Sequence, residues 1–146
     1  MSADVDAALV EVDDPGDLVA FSNGDGGANN CLVDADGGDG RLINFEHACW
    51  RHALLDAAAL RVPGSMWMTV ADPVPLGVEA TYREAAGAGL PAVLDDKRYG
   101  FGLAAACAIN AIETLQRFDK LDGREPGHHS RPQLPTCSPA RPATAG

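Results

Sequence analysis

The residues best suited to chemistry lie within residues 22–46, which hold an aspartate in a glycine-rich loop and two asparagines at fixed distances from it. Asp25 has a glycine on each side, Asn30 follows five residues later, and Asn44 comes after a further apolar run, a turn and a second apolar run. A carboxylate can accept the proton of an attacking hydroxyl, and nearby side-chain oxygens can hold Mg²⁺ against nucleotide phosphates. These residue types at this spacing indicate phosphoryl transfer.

A short hairpin is predicted to bring these residues together. Residues 30–34 and 41–45 have the composition of strands, and residues 35–40 form a turn rich in glycine and aspartate between them. Pairing of the two strands would return position 44 to the side of position 30. Aspartate at position 39 and glycine at position 40 are expected to weaken the second strand, since both are depleted in strands.

Helices are predicted before and after the hairpin. The first covers residues 3–12 and ends at an Asp-Pro-Gly turn. Residues 47–62 combine an extended segment with a helix that Asp56 would cap. Pro73 and Pro75 are expected to open a further helix that ends at the glycines near position 87.

The longest helix is expected to begin after Asp95 and to end near Phe118. Apolar residues recur in it at steps of three and four, which predicts a buried face and a mostly buried helix. That face consists of Phe101, Ala105, Ala108, Ile112 and Leu115.

The formal net charge of -10 arises entirely in the N-terminal part of the chain. Residues 1–40 contain ten Asp or Glu and no Lys or Arg, whereas the other eleven acidic residues equal the eleven basic ones. An acidic surface argues against nucleic acid, because affinity for phosphates comes from Lys and Arg. It favours either a solvated face or the attraction of a cationic ligand or metal.

The remaining sequence features are typical of a cytoplasmic protein without a membrane partner. No apolar run approaches the roughly 18 residues that span a bilayer, and the acidic N-terminus is unlike a signal peptide. The four cysteines lack paired spacing and are expected to be reduced. Residues 121–146 are rich in proline, which predicts a disordered tail after a domain of residues 1–120.

Two metal-binding interpretations are not favoured. The segment D-A-D-G-G-D-G at residues 34–40 fails the EF-hand pattern, because glycine and aspartate occupy its fifth and sixth positions and phenylalanine its twelfth. His47, Cys49 and His52 lie near one another in the sequence, but histidines beside a loop more often pack or face solvent. A glycine-rich turn and structural histidines are therefore expected.

The order of parts in this stretch resembles the aminoglycoside phosphotransferase family, which includes choline-kinase-like members of the protein-kinase-like fold. The family pattern H-G-D-x-x-x-x-N is matched by N-G-D at residues 23–25 and by Asn30. Its I-D-F-E is matched by I-N-F-E at residues 43–46, and its D-x-A helix start by Asp56. The resemblance covers roughly residues 10–118, which corresponds to the C-terminal lobe of that fold.

The resemblance implies an α+β fold that is mainly α-helical, with a small hairpin carrying the catalytic loop and with the N-terminal lobe missing. It also implies Mg²⁺ and ATP as cofactors and a small-molecule substrate, which the acidic surface suggests is cationic. The implied roles are catalytic base for Asp25, metal binding for Asn30 and Asn44, loop support for Asn23 and Asp56, and a place on the substrate side for Glu46.

Two substitutions and one absence separate this chain from the family pattern. Asn23 replaces a histidine that holds the loop, and Asn44 replaces the aspartate expected to be the principal Mg²⁺ ligand. No glycine-rich loop or strand lysine precedes Asp25. We therefore expect a truncated or degenerate phosphotransferase that is inactive or very weak alone, and apolar surface around the hairpin and residues 66–68 that promotes association.

Two other interpretations remain open. The chain could be a catalytically dead kinase-like module that binds a cationic ligand or a protein partner through its acidic surface. It could also be a decayed gene product without a selected activity. Turnover that depends on Asp25, or binding that does not, would separate these interpretations.

Overall fold

The computed structural model describes residues 3–26, 30–62 and 72–116. Within these ranges the chain forms a small α+β domain, in which about half of the residues are helical and the strands make two small antiparallel sheets. The helices are α1 Ala3–Asp13, α2 Leu54–Ala58, α3 Val78–Gly87 and α4 Asp96–Leu115, with 3-10 helices at Gly16–Leu18 and Pro91–Leu94. The strands are β1 Val19–Ser22, β2 Cys31–Val33, β3 Gly40–Leu42 and β4 Cys49–His52.

The first sheet pairs β1 with β4, and its register runs from Val19 opposite His52 to Ser22 opposite Cys49. The extended segment expected after the hairpin is therefore a strand, and the apolar run before Asp25 is its partner. β1 leads directly into the Asp25 loop and β4 leads into α2. This sheet thus places α2 beside the loop.

The second sheet is the predicted hairpin, with Cys31 opposite Leu42 and Val33 opposite Gly40. Its strands are shorter than predicted, at three residues each. The turn is closed by a 2.9 Å bond from the Asp34 amide to the Asp39 carbonyl oxygen. All six strand residues are exposed, and an isolated two-stranded sheet is marginally stable in water.

The core lies where α4 packs against α1 and α2. Its buried side chains come from α2, α4 and the two 3-10 helices, and they include small residues that allow close packing. They are Leu18, Leu54, Ala57, Ala58, Val93, Tyr99, Leu103 and Ala106.

Helix α4 corrects the expectation of a mostly buried helix. Its buried residues are Tyr99, Gly102, Leu103, Ala105 and Ala106, and none lies in the last nine residues of the helix. Two residues of the predicted buried face are instead 50% and 52% exposed, namely Phe101 and Leu115. The alanine-rich sequence does not distinguish one strongly apolar face of the helix. The elements that pack against α4 therefore decide which residues are buried. Phe118, at the predicted end, lies outside the described residues.

Gly102 allows α4 to approach the rest of the core. A Cβ atom at this position would lie 3.0 Å from Leu54 Cδ1, 3.1 Å from Leu18 Cδ1 and 3.2 Å from His52 Cε1. These three residues are fully buried, so none of them can move easily. Glycine is therefore favoured at position 102 because α4 lies close to these side chains, and not because the backbone turns there.

The helix starts differ in how well they were predicted. Asp95 caps α4 as expected, and its Oδ1 accepts a 2.8 Å bond from the Arg98 amide. The expected capping role of Asp56 is wrong, because α2 begins at Leu54 and Asp56 lies inside it. α3 begins at Val78, after a turn that contains the two prolines.

Arg98 anchors α1 and the segment after it to α4. Its guanidinium binds the Glu11 carboxylate, donates to Asp17 Oδ1 at 3.1 Å and donates to the Pro15 carbonyl oxygen at 2.8 Å. Two of the acidic residues in the N-terminal part are thereby paired with Arg98, Glu11 mostly buried and Asp17 largely exposed. The predicted tail at residues 121–146 and the apolar residues 66–68 lie outside the described residues. Among the helices described, none has the length and apolar composition needed to cross a bilayer.

Candidate functional site

The Asp25 loop begins where β1 ends, and the amide of Asn23 holds it in place. Asn23 is 4% exposed, and its Nδ2 donates to the carbonyl oxygens of Asp25 at 3.1 Å and Ile43 at 3.4 Å. Its Oδ1 accepts from the Asp25 amide at 3.4 Å. Asparagine at this position therefore links the loop to the end of the hairpin.

Gly24 permits the tight path of the loop. Its φ of 82° lies in the left-handed region, and a Cβ atom there would lie 2.3 Å from the His47 carbonyl oxygen. No other residue fits both conditions. The side chain of the next residue, Asp25, is exposed to solvent, as a group that meets a substrate must be.

Ser22 connects the loop to α2. Its side chain is buried, its Oγ donates to Asp56 Oδ1 at 2.9 Å, and the same Oγ accepts from the Gly24 amide at 3.0 Å. The Asp56 carboxylate also binds the Arg51 guanidinium. Asp56 thus reaches the loop through Ser22, a residue to which the sequence assigned no role.

Asn30 lies beside Asp25 in the fold. It is 3% exposed, and its Nδ2 donates to the Asp25 carbonyl oxygen at 3.3 Å. Its own carbonyl oxygen accepts from the Ile43 amide at 2.9 Å, which continues the hairpin ladder by one pair. The ladder therefore fixes the distance between the Asp25 loop and the residue that follows Ile43.

Asn44 is that residue, and its side-chain amide contacts the side-chain amide of Asn30. Asn44 Nδ2 donates to Asn30 Oδ1 across a long 3.4 Å contact. Its φ is 62°, a conformation that asparagine tolerates better than most residues. The structure thus brings the backbone of Asp25 and the side chains of Asn30 and Asn44 together at the open end of the hairpin.

This set offers oxygen donors of the kind that Mg²⁺ takes, but little charge. Mg²⁺ is usually held by one or two carboxylates together with substrate phosphates. Here two of the three groups are amides, and the nitrogen of Asn44 is turned toward Asn30. The residues therefore suit Mg²⁺ in donor type, while an aspartate at position 44 would supply the charge that is lacking.

The other candidate residues have different contacts. Glu46 is exposed, and its carboxylate lies 3.7 Å from the Nε2 atom of His47. His52 is buried against Glu11, whereas Cys49 is an exposed free thiol. In the described ranges no three His, Cys, Asp or Glu side chains converge as metal ligands.

A surface pocket of about 560 Å³ lies along α3, outside the Asp25 loop. Its lining includes Arg61, Glu79 and Arg83. Arg61 is paired with Glu79, and Arg83 is bound to Asp96 and to two carbonyl oxygens. These charges stabilise the packing of α3, and the pocket contains none of the predicted site residues.

Neither a scan against models of protein families nor a search of curated proteins finds a match for this chain. The family resemblance therefore depends on the residues and the geometry of the Asp25 loop.

Proposed function

We propose that the chain is a degenerate member of the aminoglycoside phosphotransferase family, whose members transfer the γ-phosphate of ATP to a hydroxyl of a small molecule. The observation that carries this proposal is the contact of the Asn30 side chain with both the Asp25 backbone and the Asn44 side chain at the end of the hairpin. Asn23 and the Ser22–Asp56 pair hold the same loop from the protein side.

In this proposal Asp25 is the catalytic base. Its exposed carboxylate would orient a substrate hydroxyl and accept its proton, while hydrogen bonds from Asn23 and Asn30 fix its backbone carbonyl oxygen. ATP would supply the phosphoryl group, and Mg²⁺ would neutralise its negative charge. Asn30 and Asn44 are the residues that would hold the metal.

Asn44 is the reason for calling the chain degenerate. An amide retains an oxygen but lacks the negative charge that a carboxylate offers to a divalent cation. Loss of groups that only support metal ligands costs about 10–100-fold in affinity or activity, so a lost ligand charge should cost at least as much. We therefore expect weak Mg²⁺ binding and little or no turnover from the chain as it stands.

Calorimetric titration with MgCl₂ and with Mg-ATP tests this proposal on Asn44→Asp. The new carboxylate should tighten Mg²⁺ binding by about tenfold or more. Asn110→Asp is the matched control, because it adds the same charge on α4, outside the hairpin. Equal affinities in the wild type and in both variants would refute a metal site at the hairpin.

Turnover provides the second test. Any ATP hydrolysis or transfer by Asn44→Asp should disappear when Asp25→Ala is added, because the base is lost. Turnover that persists without Asp25 would refute its catalytic role.

The alternative is a kinase-like module that binds a cationic ligand or a protein partner. It is favoured by the hairpin turn, where Asp34 and Asp36 are exposed, and by exposed apolar side chains on the strands, including Leu32 and Leu42. We also propose association through this hairpin face. Calorimetric titration with spermine tests the alternative. It predicts saturable heat that is unchanged in Asp25→Ala and is lost when Asp34 and Asp36 are both replaced by Asn.

A further inference from the structure

His52 lies at the end of β4 and is completely buried, with both ring nitrogens engaged. Nε2 lies 3.0 Å from Glu11 Oε1, and Nδ1 lies 3.1 Å from the backbone nitrogen of Leu54. A backbone amide can only donate, so Nδ1 must accept and cannot carry a proton. The single ring proton is therefore on Nε2, where it is donated to Glu11, and the ring is neutral.

The groups around the ring come from α1, α4 and the start of α2, where the Leu54 amide lies. Glu11 on α1 faces Nε2, and Arg98 on α4 shares the same carboxylate and also binds Asp17. Gly102 on α4 brings the helix backbone against the ring carbon Cε1. Burial lowers the pKa of His52, and although Glu11 opposes this effect, Arg98 adds to it and the net shift is downward.

The Leu54 amide connects His52 to the Asp25 loop. Leu54 is the first residue of α2, a helix of five residues, so this bond lies at the start of the helix. Two residues later Asp56 accepts the Ser22 hydroxyl, and Ser22 accepts the Gly24 amide. Hydrogen bonds at both ends of a short piece of the α2 backbone, from Leu54 to Asp56, thus connect the histidine ring to the loop.

We propose that His52 is a proton-operated switch, in which protonation of Nδ1 releases the Leu54 amide and loosens the hold of α2 on the Asp25 loop. The added Nδ1–H would face the Leu54 N–H, so that two donors oppose each other where one bond existed. This switch depends on the fold alone and holds whether or not the chain transfers phosphate.

The sign of the pH effect follows from the neutral ring. Histidine in the unfolded chain titrates at about 6.5, above the lowered pKa of buried His52. Between these two values the unfolded chain binds more protons, so the folded state loses stability as the pH falls, by at most about tenfold in the folding equilibrium per pH unit. Above about 6.5 and below the lowered pKa this group contributes no further change.

Nuclear magnetic resonance of the full chain between pH 7.5 and 4.5 tests the switch without any variant. At pH 7.5 the His52 ring should show a protonated Nε2 and a bare Nδ1. On acidification, the Nδ1 signal and the amide signals of Leu54 and Gly24 should change with one midpoint below 6.5, and hydrogen exchange of Leu54 should accelerate.

Two variants separate His52 from the other titrating groups. His52→Asn places a non-titrating oxygen where it can accept the amide two residues later, so the acid response at Leu54 and Gly24 should disappear. His47→Gln removes an exposed histidine and should leave that response unchanged. A proton on Nδ1 at pH 7.5, or titration of His52 without a change at Leu54 and Gly24, would overturn the proposal.

Discussion

Gly102→Ala offers a direct test of the close packing between α4 and the core. Alanine favours a helix over glycine by about 1 kcal/mol, which would stabilise the variant if space were available. The new Cβ atom would instead meet three buried side chains at 3.0–3.2 Å. Overpacking of this kind costs about 1–3 kcal/mol. The net change in the free energy of unfolding is therefore a loss of up to about 2 kcal/mol.

Gly100→Ala is the matched control, since it lies in the same helix and nothing lies within 4 Å of its Cβ position. The helix-propensity term is common to both variants, so the difference between them measures packing alone. We expect Gly100→Ala to be more stable than Gly102→Ala by about 1–3 kcal/mol. Urea unfolding followed by circular dichroism measures both values. Equal stabilisation of the two variants would refute the close approach of α4.

Two further predictions concern polar anchors. Ser22→Ala removes the partner of the partly buried Gly24 amide and should destabilise the chain by about 1–3 kcal/mol, whereas Ser22→Thr keeps the hydroxyl. Equal urea midpoints for the two variants would contradict this role. Arg83→Lys should lower the melting temperature, because one ammonium cannot reproduce the guanidinium bonds to two carbonyl oxygens and Asp96 or its stacking 4.5 Å over Tyr99. An unchanged melting temperature would show that these contacts contribute nothing.

The local elements could be predicted from the sequence because neighbouring residues specify them. The first helix is confirmed at Ala3–Asp13, and the two strands of the hairpin pair as expected. The Asp95 cap was also predictable, since capping involves residues three positions apart. The approach of Asn44 to Asn30 follows from the same hairpin, because its register is set locally.

Contacts between distant segments could not be predicted in this way. Ser22 and Asp56 are 34 residues apart, and His52 and Glu11 are 41 apart. Neither pair has a sequence pattern, because each depends on how α1, α2 and β4 pack together. From the sequence His52 was expected to pack or to face solvent, with a metal role not favoured, and the fold places it in a buried polar network.

By itself the sequence determined the order of Asp25, Asn30 and Asn44 and the hairpin that joins them, because both are short-range properties of residues 22–46. Tertiary structure alone decided that Ser22 and Asp56 support this loop and that Gly102 lets α4 approach the core closely. It also decided that His52 is buried between Glu11 and the start of α2. The physical reason is that burial and hydrogen bonding depend on which surfaces meet, and residue spacing along the chain does not fix that.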